Sequence, residues 1–125
     1  MVKVELCYRR GRLAGLVVSG HAGYAPRGRD IVCAAVSALA QTAVRALEVL
    51  AGVQPGAKIT EGYLECILPP ALLSEKAELI LQVAAVGLKE VGRAHPEYVS
   101  ITEREVAGGD NGVRSSAFRP QERGR

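Results

Sequence analysis

Aromatic side chains are scarce in this chain of 125 residues, which has four Tyr, one Phe and no Trp. A core without large rings has to be built from Val, Leu, Ile and Ala, and the 48% apolar composition supplies them. The length fits one domain with one modest core. Cysteine is scarce too: Cys7, Cys33 and Cys66 are odd in number and form no CxxC pair. The two histidines, His21 and His95, stand far apart. These counts argue against a disulfide framework and against a zinc site, and no metal or other cofactor is expected. The body also lacks an excess of either charge. The formal net charge is +3, and among the last twelve residues Arg114, Arg119, Arg123 and Arg125 stand against the single acidic Glu122, so most of that excess lies in the tail. A neutral body argues against nucleic-acid binding as the main task of the fold. Residues 2–10 alternate charged and apolar, unlike a signal peptide, and no apolar run is long enough to span a bilayer. The expectation is a cytoplasmic, reduced protein with no membrane contact.

Alternation of Val2, Val4, Leu6 and Tyr8 with Lys3, Glu5, Cys7 and Arg9 predicts a half-buried strand. Arg10-Gly11 makes a turn, and Leu13 to Gly20 returns as the second strand of a hairpin. After a loop over 22–29, Asp30 is a good N-cap for a helix from Ile31 to Leu50, stopped by Gly52. From Ile31 to Val44 this helix has no charge, so it is expected to be buried all round, against a sheet and against a helix or a second subunit. A second hairpin is expected about Glu61-Gly62, with strands Lys58–Glu61 and Tyr63–Leu68 closed by Pro69-Pro70. Residues 71–93 predict a second helix, its buried stripe made of Leu72, Leu79, Ile80, Val83, Val86, Leu88 and Val91. His95-Pro96 ends it, and Tyr98–Glu103 is the last strand. Cys66, in phase with Leu64 and Leu68, belongs to the core, whereas Cys7, among charged neighbours, is expected to be exposed or half exposed. The order ββαββαβ implies an α+β fold, a largely antiparallel sheet of about five strands packed with two helices. It forms a single domain over 1–105, and 106–125 reads as a flexible basic tail.

The chemistry concentrates between His21 and Cys33. An imidazole at a strand end and a thiol at a helix start are the minimal equipment for nucleophilic attack on a carbonyl. The positive end of a helix favours thiolate. Standing alone, Cys33 would read as a small buried apolar residue, and His21 as a strand cap. Asp30 has two readings, as the N-cap that sets the helix start or as the group that orients His21; its carboxylate disfavours a thiolate beside it. Ser37, one turn after Cys33, either bonds back to the Cys33 carbonyl or faces His21 or substrate. Gln41, a further turn on, reads as structural. Gly20, Gly23 and Gly28 give the intervening loop, to which Ala22 also belongs, the freedom to close over a peptide. Arg27 and Arg29 read as solvated loop charges, with gripping of a peptide backbone or an RNA phosphate as the alternative.

Gly20-His21-Ala22 followed by Asp30-Ile31-Val32-Cys33-Ala34-Ala35-Val36-Ser37-Ala38-Leu39-Ala40-Gln41-Thr42 resembles the ribosomal-processing cysteine protease Prp family. The resemblance runs from residue 2 to about residue 104 and includes Gly62-Tyr63-Leu64 and Pro96-Glu97-Tyr98-Val99. It implies that His21 and Cys33 are the catalytic pair of a cysteine endopeptidase that works without a cofactor. The substrate it implies is a large-subunit ribosomal protein carrying an N-terminal extension, which the enzyme removes, and the assembly it implies is a homodimer. Since that extension is rich in apolar and aromatic side chains, the groove beside the loop should be apolar. The basic loop residues Arg27 and Arg29 and the tail after Glu105 depart from the family pattern. A competing function is a non-catalytic ribosome- or RNA-associated protein whose arginines touch phosphates. Direct nucleic-acid contact is the less favoured reading, and a thiol redox role lacks a paired resolving cysteine.

Overall fold

The computed structural model describes residues 1–20 and 27–107, with the backbone alone of residues 27–30. Strands β1 (Val2–Arg9) and β2 (Arg12–Ser19) precede helix α1 (Arg27–Ala51). Then come β3 (Lys58–Thr60), β4 (Tyr63–Ile67), a 3-10 turn (Pro70–Leu72), helix α2 (Glu75–Ala94) and β5 (Val99–Glu105). This is the expected ββαββαβ order.

The five strands form one mixed sheet in the order β3-β4-β2-β1-β5. Three neighbouring pairs are antiparallel and one, β1 with β5, is parallel. Arg10 and Gly11 make the first hairpin turn with φ of 51° and 80°, the paired left-handed conformation that suits the twist of a two-residue loop. The two helices are crossovers. From these pairings β2 runs parallel to β3, with β4 between them, and β4 runs parallel to β5. The two crossovers leave antiparallel strands in opposite lateral directions. A right-handed path for each therefore puts both helices on the same face.

That face is the core. It joins Val4, Leu6, Leu16, Val18, Leu64 and Cys66 of the sheet to both helices. From α1 it takes Val32, Val36, Ala40, Ala43 and Leu47, which recur at helical spacing. From α2 it takes Ala77, Leu81, Ala84, Ala85 and Leu88. The helices approach closely where Gly87 meets Leu39; a Cβ at Gly87 would lie 2.9 Å from Leu39 Cδ2.

Several expectations are corrected. Helix α1 starts at Arg27, so Asp30 lies within its first turn and is not the N-cap. Gly28 is too weak a breaker to stop it, costing about 1 kcal/mol in a helix. In the single chain α1 is not covered all round, since Ile31, Ala34, Ala38, Gln41 and Thr42 are exposed. Its segment Ile31–Ala51 is also long and apolar enough to cross a membrane, with a hydropathy of 1.4. The sequence run looked shorter because Arg45 and Glu48 interrupt it, and in the fold its buried stripe lies on the core sheet. Helix α2 starts four residues later than expected, where Ser74 accepts a hydrogen bond from Ala77 N–H as N-cap. Its buried stripe is rotated: alanines face the sheet while Leu79, Val83 and Val86 are 59%, 66% and 64% exposed. Cys7 is wholly buried rather than exposed. Val106 is buried as well, and its N–H reaches Tyr8 O at 2.8 Å.

Candidate active site

Cys33 is half-buried and is the seventh residue of α1. Helix-dipole effects fade within the first turn, so the longer helix removes the dipole as the source of a thiolate. Nor is the Cys33 N–H free to stabilise an oxyanion. Only the first four N–H groups of a helix lack an internal partner, and Cys33 lies beyond them.

A cavity of about 300 Å³ opens beside Cys33. Its walls come from three places. The end of β2 brings Val18 and Gly20, the exposed turns of α1 bring Cys33, Ser37 and Gln41, and the β3–β4 hairpin brings residues Ile59 to Leu64. Val2, Val18, Val36 and Leu64 make an apolar floor. Glu61 is the one charged residue among the described lining residues.

Gly20 holds the entrance together. Its N–H donates to Gly62 O at 3.0 Å, tying the end of β2 to the hairpin turn. Its φ of 106° and the 2.5 Å that would separate a Cβ from Met1 O exclude any side chain there. Ser37 lies one helical turn beyond Cys33 and accepts a hydrogen bond from Gln41 Nε2 at 2.8 Å. That bond aligns a hydroxyl and an amide along the cavity wall. Gln41, read from sequence as structural, also lines this cavity. The four-residue spacing of Cys33, Ser37 and Gln41 was the available signal, because such residues share a helix face. The hairpin rim at Thr60, Glu61 and Tyr63 was missed for a different reason. Nothing local in those residues says that α1 crosses β4 to reach β3.

His21, Ala22 and Gly23 lie outside the described residues, as do the side chains of Asp30 and Arg27. Of the three cysteines, all free, Cys33 is the one that is not buried. Cys66 is sealed in the core, where burial pushes its thiol up to about 12, helped by the nearby carboxylates of Glu48 and Glu65. A thiol held protonated in this way is inert. Among the described residues no group of three His, Cys, Asp or Glu side chains is placed to hold a metal ion.

The family model of the cysteine protease Prp matches residues 1–100. The chain belongs to the Prp family of cysteine proteases. The ribosomal processing cysteine protease Prp of Bacillus subtilis is 34% identical over 107 residues, spanning 79% of this chain and 96% of its own. Among solved structures, SMU.848 from Streptococcus mutans is 32% identical with a TM-score of 0.77, covering 85% of this chain and 96% of its own. The ribosomal processing protease Prp of S. aureus, solved with a covalently linked product peptide, is 25% identical with a TM-score of 0.73. That match covers 83% of this chain and 100% of the S. aureus chain. Membership in the Prp family establishes a peptide-bond hydrolase working through cysteine, and the α+β fold described above is the one these neighbours share. The matched region ends before the tail.

Proposed function

We propose that this chain is a cytoplasmic cysteine endopeptidase that removes the N-terminal extension of a large-subunit ribosomal protein, with Cys33 as nucleophile and His21 as general base. The observation that carries this reading is the cavity, which joins the one unburied cysteine to an apolar floor and to the rim of the β3–β4 hairpin. Further support comes from the B. subtilis relative, named for ribosomal processing, and from the S. aureus relative with its covalently linked product peptide. His21 is supported by the Gly-His-Ala motif and by its chain neighbour Gly20, which lines the same cavity as Cys33.

The chemistry proceeds in two stages. His21 takes the thiol proton, and the sulfur of Cys33 attacks the scissile carbonyl carbon. The tetrahedral adduct collapses with cleavage of the C–N bond, and the leaving amine takes the proton from His21. Water, deprotonated by His21, then hydrolyses the thioester and restores the thiol. Ser37 and Gln41 hold the peptide on the cavity wall. Ala22 and Gly23 meet the peptide between Gly20, which lines the cavity, and Gly28, in the first turn of α1, and Asp30 orients His21. The enzyme acts as a homodimer, paired through the exposed apolar stripe of α2.

Incubating the protein with the extended ribosomal protein of its own organism and weighing the products tests the reading. Cys33→Ala should abolish cleavage, and His21→Ala should slow it by about a hundredfold or more. Full activity in the Cys33→Ala variant would overturn the assignment.

A further inference from the structure

Most acidic side chains of the described residues are already answered by a neighbour. Glu48, Glu78, Glu90 and Glu103 pair with Arg45, Arg12, Arg93 and Lys89. Glu5 faces Arg104 at 3.9 Å, Glu65 accepts a hydrogen bond from the Tyr63 hydroxyl, and Glu105 accepts one from Arg10 N–H. Glu75 stands in the first turn of α2, where the helix N-terminus favours a negative charge. Glu97 is exposed beyond the end of that helix. Glu61 differs from all of these. It has no ion pair or hydrogen bond with any described residue, and it stands at the rim of the cavity that holds Cys33.

The local fold does not ask for an acid there. Glu61 and Gly62 form the two-residue turn between register partners Thr60 and Tyr63, and only Gly62 has a positive φ, of 74°. Such a turn requires Gly at its second central residue and places no demand for a carboxylate at the first. The turn is nevertheless held in place, because Gly62 O accepts from Gly20 N–H at 3.0 Å. Glu61 is thus an exposed carboxylate presented by a fixed turn. Ser37 and Gln41 on the α1 wall are neutral, so among the described lining residues no cation competes for it. We propose that Glu61 is a specificity-determining residue that takes a Lys or Arg side chain of the substrate peptide, while the apolar floor takes an apolar side chain close by in the same peptide. The assignment rests on the proteolytic reading and goes beyond it by naming a charge that the substrate carries. The cavity of about 300 Å³ spans about two residues of a chain rising about 3.3 Å per residue, so the cation falls within two residues of the apolar anchor. The pair stays within reach of water, which makes its contribution modest and sensitive to salt.

A peptide series with one apolar anchor tests it, with Lys, Gln or Glu placed in turn at each other position. Two quantities are read for every peptide: kcat/KM with the full-length protein, and Kd with its Cys33→Ala variant. At a position within two residues of the anchor, Lys should bind about fivefold tighter than Gln, the upper end for an exposed pair, and Glu should bind more weakly than Gln. The gap should narrow as salt rises from about 0.05 M to about 0.5 M. Glu61→Gln should bring the Lys-to-Gln ratio at that position to about one, and Glu61→Lys should invert the order in favour of Glu. The change should fall on KM with kcat held, as for a contact made equally in the ground and transition states. Absence of binding throughout, or of a Lys preference, overturns the proposal. So does a preference that survives Glu61→Gln, or an equal loss for every peptide in Glu61→Lys, which would make Glu61 a support of the hairpin. The two Kd and cleavage readouts separate the two readings. A Kd order that follows Glu61 without any cleavage strikes the proteolytic reading and upholds the recognition; cleavage that needs Cys33 but ignores Glu61 does the reverse.

Discussion

At the residue scale, burial sets what each titrating side chain can do. Glu5 is the clearest case. Desolvation in the centre of the sheet pushes its carboxyl from 4.5 up to about 7, against the pull of Arg104 and Lys3. The folded state therefore holds this proton more tightly than the unfolded chain does, and stability falls as pH rises from about 4.5 through about 7. Thermal unfolding followed across that range should show a falling midpoint that levels off above it. Glu5→Gln, neutral at every pH, should remove this part of the slope and raise the midpoint on the alkaline side; an unchanged slope would show that another group titrates. The same logic separates the cysteines. Cys66 and Cys7 are buried, one on each face of the sheet, which leaves Cys33 as the one cysteine that is not buried. Cys66 was legible from its phase with Leu64 and Leu68. Cys7 was not, because an alternating strand announces a wet face and cannot announce that the face is covered.

At the element scale, the hairpins were plain in the sequence and the helices were only partly so. Arg10-Gly11 and Glu61-Gly62 punctuate their strands with the residues that such turns require. The helices misled because periodicity does not distinguish a face that meets a sheet from one that meets another surface. In α2 the large side chains Leu79, Val83 and Val86 point away from the sheet, and alanines fill the narrow gap beneath. The spacing of those three makes a continuous apolar stripe, the surface assigned above to the dimer. Val83→Glu should bury a charge at that contact and convert the dimer to monomer in sedimentation at micromolar concentration. The fold of each chain should be retained, since Val83 is exposed in the single chain. A wild-type monomer, or a variant that still dimerises, would remove α2 from the interface. Packing under the stripe predicts the opposite behaviour. Leu47, fully buried in α1, should cost about 2–5 kcal/mol of stability as Leu47→Ala, read from denaturant unfolding.

At the scale of the whole molecule, the crossovers assemble the site. One carries the chain from β2 over β4 to β3, so the helix bearing Cys33 passes beside the hairpin that forms the opposite rim. A peptide seated there touches three separate stretches of chain, and binding should stabilise the whole fold. In a Cys33→Ala variant, which on the proposed function should bind without cutting, a peptide spanning the cleavage site should add about 2.7 kcal/mol at a hundred times its Kd. The check is a shift of the unfolding midpoint that is absent with a scrambled peptide.

The amino-acid sequence by itself determined the strand and helix order, the aliphatic core and the motif joining His21 to Cys33. Each of these is written in neighbouring residues, through alternation, turn chemistry and local spacing. Only the tertiary structure decided that Cys33 lies nearly two turns inside its helix, that Gln41 and the hairpin rim share its cavity, and that both faces of the sheet are dry. Those outcomes depend on which surfaces meet, and contacts between residues far apart in the chain leave no local pattern to read.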